Sequence, residues 1–163
     1  MEKLEQDIVD LICSDARLSC ARIAQMLGVS EKQVAEKIAA LEKQGVIVKY
    51  TAIVNTEELD DDGVEALIEV KVTPQGGHGF DAIAVEIAEH EEVQNLYLMS
   101  GAYDLAVIVK GNSLRSVSRF VSEKISRYDS VLSTATHFIL KKYKVEGALM
   151  QKDALHSRIS VQP

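Results

Sequence analysis

The sequence predicts an α+β chain: a winged helix-turn-helix at the N-terminus, then a ferredoxin-like βαββαβ domain. Three observations carry this. Residues 4–41 hold three short amphipathic segments joined by very tight turns. The region from Ala66 to Leu140 alternates β-branched runs with two stretches at helical spacing. An acidic, polar stretch separates the two rhythms and fits a linker. The expected division is 1–55, a linker at 56–64, 65–144, and a C-terminal extension at 145–163.

Leu4, Ile8, Leu11 and Ile12 form one face of the first helix. Ser19 offers an N-cap hydroxyl for a second helix carrying Ile23, Ala24 and Leu27. Gly28-Val29-Ser30 leaves room only for a sharp corner. Ser30 caps the third helix, and Gln33 three residues on completes a capping box. Val34, Ile38 and Leu41 make its buried stripe, and Gly45 follows as a C′ residue. Val46-Ile47-Val48, with Tyr50, Ala52 and Val54 beyond, alternates as the strands of a wing.

In the second region the expected order is a strand at Ala66–Val72, a loop at Thr73–Gly79, and a helix at Phe80–Glu89. Strands at Val93–Met99 and Tyr103–Val109 are separated only by Ser100-Gly101-Ala102, a hairpin signature. A helix at Ser113–Ile125 and a strand at Val131–Leu140 complete the order. Both parities of the hairpin strands contain apolar residues, so both sheet faces should be covered. The simplest second cover is another copy of the chain, which predicts a homodimer.

A helix-turn-helix presents one helix to the major groove of double-stranded DNA. Lys32, Gln33, Glu36, Lys37 and Lys43 lie off the buried stripe of the third helix. Gln suits adenine, Lys suits guanine or phosphate, and Glu accepts from cytosine. Arg17, Arg22 and the Ser30 hydroxyl complete the expected DNA-contact set. The alternative for these residues is a solvated face of mixed charge. Charge opposes strong binding: residues 1–55 carry a net of about −1, and the whole chain −7. One copy should bind DNA weakly, and several copies on one assembly would offset that.

Other classes find less support. No apolar run approaches the ~20 residues of a membrane span, so no membrane partner is expected. Met1-Glu2-Lys3 leads directly into a helix, which reads as a cytoplasmic chain without a signal peptide. Cys13 and Cys20 fit reduced structural thiols. His78, His90, His137 and His156 show no metal-ligand spacing, and no metal or cofactor is expected.

Together these segments resemble the Lrp/AsnC, or feast/famine, family of transcription regulators, from about Leu4 to Lys144. LEQDIVDLICSDARLSCARIAQMLGVS resembles the family's opening, including a D-x-R-hydrophobic-S turn at Asp15, Arg17, Leu18 and Ser19. VAEKIAALEKQGVIVKYTAIVN resembles its third helix and exit strand. SGAYDLAVIVKG resembles its G-x-Y-D hairpin, and STATHFIL its last strand. The third helix departs from the family's frequent arginines: it carries Glu31 and Glu36 and no Arg.

The resemblance implies a DNA-binding regulator controlled by a small effector, commonly an amino acid. It also implies dimers that assemble further, often to octamers. The effector site would involve the hairpin Met99, Ser100, Gly101, Ala102, Tyr103 and Asp104, with Thr134 and Thr136 of the last strand. In this reading Asp104 takes an α-ammonium and the turn amides take the carboxylate. On the bland reading Gly101 supplies a positive φ, Asp104 caps turn amides, and the threonines are good strand formers. Two other functions stay open: an effector-binding assembly protein that has lost DNA binding, and an enzyme resembling the siroheme decarboxylases.

Overall fold

The structure, a computed structural model, describes residues 2–59, 63–74 and 79–150. The chain divides into two units, Met1–Val54 and Asn55–Pro163.

The first unit is a three-helix arrangement: α1 (Lys3–Ser14), α2 (Cys20–Leu27) and α3 (Glu31–Lys43). The caps form as the sequence requires. Ser19 Oγ accepts from the Arg22 N–H at 3.2 Å, and Ser30 with Gln33 makes a reciprocal capping box. Gly28 and Gly45 take φ of 69° and 72°, which ends α2 and α3. Past Gly45, the Val46 N–H donates to the Leu41 carbonyl at 2.9 Å and closes the last turn. Ile8, Ile23, Ala24 and Val34 form the core, with Leu4, Leu11, Ile12, Leu18, Leu27 and Ile38 packed around them. Burying a side chain such as Ile8 or Ile23 stabilises by roughly 1.5–3 kcal/mol.

The expected wing strands do not form within the described residues. Val46–Val54 is turn and irregular chain, with Val48 87% exposed. Alternation of β-branched residues supplies propensity, but a strand also needs a neighbour to bond.

The second unit holds β1 (Val64–Val72), α4 (Asp81–Ala88), β2 (Val93–Leu98), β3 (Leu105–Gly111), α5 (Leu114–Glu123) and β4 (Val131–Phe138). The sheet order is β2-β3-β1-β4, and every neighbouring pair is antiparallel. Ala66, Ile68, Val70 and Val72 alternate along β1 into a core with Leu105, Val107 and Val109 of β3. Ile83, Ile87, Val117, Phe120 and Val121 of the helices cover that face. A bulge between Val93 and Asn95 lets Val93 and Leu96, three positions apart, both pack on this core. Gly111 is dictated by close approach: a Cβ there would lie 2.6 Å from Ser116 Oγ and 3.0 Å from Val117 Cγ2.

The expected linker begins with a single 3₁₀ turn, Thr56–Glu58, capped by Asn55. The Asn55 amide also donates to the Met150 carbonyl at 2.9 Å, tying the turn to the end of the described chain. The expected extension opens with a hairpin, β5 (Lys144–Val145) and β6 (Ala148–Leu149). Its two-residue loop, Glu146-Gly147, has φ of 45° and 82°, as a type I′ turn requires. The rest of the extension, residues 151–163, and His78 and His156 lie outside the described residues.

Candidate functional site

Two surfaces concentrate the expected site residues, one in each unit. In the first unit the buried stripe of α3 turns Lys32, Gln33, Glu36 and Lys43 outward, all exposed, along with Ala35 and Ala39. Lys32 Nζ and Glu36 Oε1 are 3.8 Å apart, one helical turn from each other, with side chains 85% and 66% exposed. Arg17 is almost fully exposed and lies 3.6 Å from Asp15. Arg22 donates to Gln25 Oε1 at 2.6 Å.

Two expected readers are otherwise engaged. Lys37 is turned inward: its ammonium lies 2.7 Å from Glu2 Oε2 and 2.9 Å from Glu5 Oε1, both on the start of α1. The reason is geometric, since position 37 borders the stripe of Val34, Ile38 and Leu41 that packs on the other helices. Hydrogen bonding to Lys37 holds the Glu5 carboxyl below its ordinary pKa, and the bonds to Glu2 and Glu5 hold the Lys37 ammonium above its own. Glu2 and Glu5 were not legible as partners because they lie 35 and 32 residues away. Gln33 also has a structural task. Its amide oxygen accepts from the Ser30 backbone N–H at 3.1 Å and from Ser30 Oγ at 2.8 Å.

In the second unit the β2–β3 hairpin ends in an exposed tip. The Met99 N–H donates to the Asp104 carbonyl at 2.7 Å, closing the loop. No backbone hydrogen bond among the described residues engages the N–H groups of Ser100, Gly101, Ala102 or Tyr103. Gly101 is outside the left-handed region, with open space where a Cβ would stand, so the expected positive φ is not its role. Asp104 does cap: its Oδ2 accepts from the Val72 N–H at 2.9 Å, and its own N–H donates to the Val70 carbonyl at 3.1 Å. The carboxylate therefore satisfies the last amide of β1.

The threonines lie elsewhere than a hairpin site would suggest. Thr134 pairs with Val70 and Thr136 with Ile68, both fully buried under the helices, so the half-buried threonines share that face. β1 separates β4 from β3, which puts Thr134 roughly 10 Å across the sheet from the base of the hairpin. One small ligand would not reach both within a single protomer.

The opposite sheet face carries Leu67, Glu69 and Lys71 of β1, with Ile108, Tyr97 and His137 beside them. Tyr97 is 51% exposed, and His137 Nε2 lies 3.4 Å from Glu69 Oε1. No helix covers this face among the described residues, and no cluster there could hold a metal ion. No helix among them is long and apolar enough to cross a membrane.

Comparison with known proteins agrees with both units. A model of the winged helix-turn-helix DNA-binding domain matches residues 1–48, and one of the Lrp/AsnC ligand binding domain matches residues 65–149. The chain is 45% identical over 160 residues to the uncharacterized HTH-type transcriptional regulator YugG of Bacillus subtilis, covering 98% of this chain and 96% of the relative. It is 25% identical over 154 residues to the leucine-responsive regulatory protein of Escherichia coli, covering 93% and 92%. The fold matches the leucine response regulatory protein of Mycobacterium tuberculosis at a TM-score of 0.75 and 20% identity, over 93% of this chain and 100% of that one. It also matches a transcriptional regulator of Neisseria meningitidis solved as an L-Met complex, at 0.70 and 19% identity, over 89% and 93%.

Proposed function

The chain belongs to the Lrp/AsnC family of transcription regulators, and from that premise we propose that it binds specific DNA sequences under the control of an amino acid. It is a helix-turn-helix regulator with a ligand-binding domain rather than an enzyme. The DNA contacts are made by the exposed face of α3 and its N-cap Ser30, together with Arg17 in the turn before α2 and Arg22 in the first turn of α2. Lys37 positions α3 against α1 instead of touching DNA.

The effector site is built on the hairpin tip. The observation that carries it is the run of four amides, Ser100–Tyr103, with no backbone partner among the described residues, directly before Asp104. These amides suit a carboxylate, and the Asp104 oxygen not bonded to Val72 suits an ammonium. An amino acid carries both groups. The Neisseria relative's L-Met complex is consistent with such a ligand. Thr134 and Thr136 join the site from another copy of the chain, since β1 separates them from the tip in their own protomer.

The uncovered sheet face supports assembly. Tyr97 is exposed beside half-buried Ile108 and Leu67, and a second copy covers this apolar surface in a homodimer; the family resemblance implies further assembly, up to an octamer. Several DNA-binding units on one particle then compensate for the near-neutral charge of each. The test is a thermal-shift screen of the twenty amino acids on the full chain, followed by DNA mobility shifts with each hit. A ligand at 100 times its Kd should raise the melting temperature by ~5–10 °C. A screen without hits would refute an amino-acid effector. A protein that shifts no DNA, specific or not, would favour an assembly role instead.

A further inference from the structure

The outward face of α3 reduces to very few groups that can distinguish bases. Lys37 is spent on Glu2 and Glu5, and the amide oxygen of Gln33 on Ser30. Lys43 lies in the last turn, away from the N-terminal half that approaches base edges in a docked helix-turn-helix. Besides the Gln33 amide nitrogen and Glu31 at the first position of the helix, what remains there is Lys32 and Glu36, flanked by the small side chains Ala35 and Ala39. These alanines put little bulk between the helix surface and a groove.

From this geometry we infer that Glu36 selects the operator by requiring a cytosine at one position. The inference rests on α3 being the helix that enters the groove. A carboxylate accepts hydrogen bonds and donates none. In the major groove guanine presents N7 and O6, and thymine presents O4, all acceptors. Adenine offers its N6 amino group beside the N7 lone pair, which repels a carboxylate. Cytosine alone offers an amino donor with no acceptor next to it on the same base edge. Every other base leaves Glu36 unpaired among the phosphates, where its charge opposes binding.

Lys32 makes the arrangement workable. It holds Glu36 at 3.8 Å in the free protein, an exposed pair weak enough to open on docking. Its ammonium then suits guanine O6 and N7 one helical turn earlier. The unit has a net charge of about −1 and little general attraction for DNA, so a residue that rejects wrong bases weighs heavily in its specificity.

The test is selection of bound sequences from a random duplex library by the full-length protein and by Glu36→Gln and Glu36→Ala. Circular dichroism should show all three folded, because the Glu36 side chain is 66% exposed. The wild type should enrich a cytosine and disfavour its replacement by roughly 5- to 150-fold. Glu36→Gln should move that preference to adenine, and Glu36→Ala should abolish it while tightening binding to unrelated DNA. Cytosine retained in Glu36→Ala, or no cytosine in the wild-type motif, would overturn this inference alone. A wild type that enriches no sequence would overturn the DNA-reading role of α3 as well.

Discussion

Asp104 is the residue whose two roles can be separated by one atom. Its Oδ2 accepts from the Val72 N–H at 2.9 Å, and Val72 is only 3% exposed. Asp104→Ala strands that buried amide, which costs about 1–3 kcal/mol of stability. For a chain of 163 residues this lowers the melting temperature by ~2–12 °C. Asp104→Asn keeps a carbonyl oxygen for the amide and removes the charge, so its stability should stay within about 1 kcal/mol of wild type. If the carboxylate also binds the effector's ammonium, both variants lose affinity. The alanine should weaken binding by about 2–5 kcal/mol, and the asparagine by at least ~1 kcal/mol, about fivefold. Denaturant titration at fixed protomer concentration gives the first quantity and calorimetry with the effector the second. A folded Asp104→Asn protein with unchanged effector affinity would show that Asp104 only caps β1.

Other outcomes test separate parts of the structure. Gly111→Ala should cost about 1–3 kcal/mol in thermal denaturation, because its Cβ meets Ser116 Oγ at 2.6 Å and that oxygen is fixed by the Ser113 cap. Gly101→Ala should stay within about 0.5 kcal/mol, having open space and no positive φ; a large loss there would contradict the turn geometry. Glu5 has a lowered folded pKa, so its contribution is present above its unfolded pKa and fades as pH falls through the folded value. Lys37→Met should weaken that acid-limb dependence, leaving the part due to the Glu2 N–H bond to Glu5, and an identical pH–stability curve below pH ~5 would refute the coupling. Ile108→Asp on the uncovered sheet face should lower the particle mass in light scattering, whereas an unchanged mass would place the interface elsewhere.

What was legible in the sequence is what local chemistry decides. Ser19, Ser30, Gly28 and Gly45 punctuate three helices, and each takes the cap or the φ its type implies. The βαββαβ order was legible because the apolar, β-branched runs such as Leu105–Val109 are bounded by turn residues, and because the helices repeat at their own period. The remainder depends on partners distant in sequence. Lys37 borders the buried stripe, and only the packing of α1 brings Glu2 and Glu5 to it. Thr134 and Thr136, two apart on one strand, share a face, but which face depends on pairing with Ile68 and Val70 of β1. The run Val46–Val54 has the alternation of strands and, among the described residues, nothing to pair with. At the hairpin, Asp104 was legible as a carboxylate needing a reason, and the reason includes the Val72 amide 32 residues before it.

The most direct measurement is a titration of the full-length protein against its selected DNA fragment and a scrambled one, at fixed salt, with and without each amino acid that stabilises it. The selected fragment should bind at least ~10³-fold more tightly than the scrambled one. One amino acid should shift that affinity by roughly 5- to 150-fold in either direction. Equal affinity for the two fragments, or an affinity indifferent to every stabilising amino acid, would contradict a ligand-gated, sequence-reading regulator.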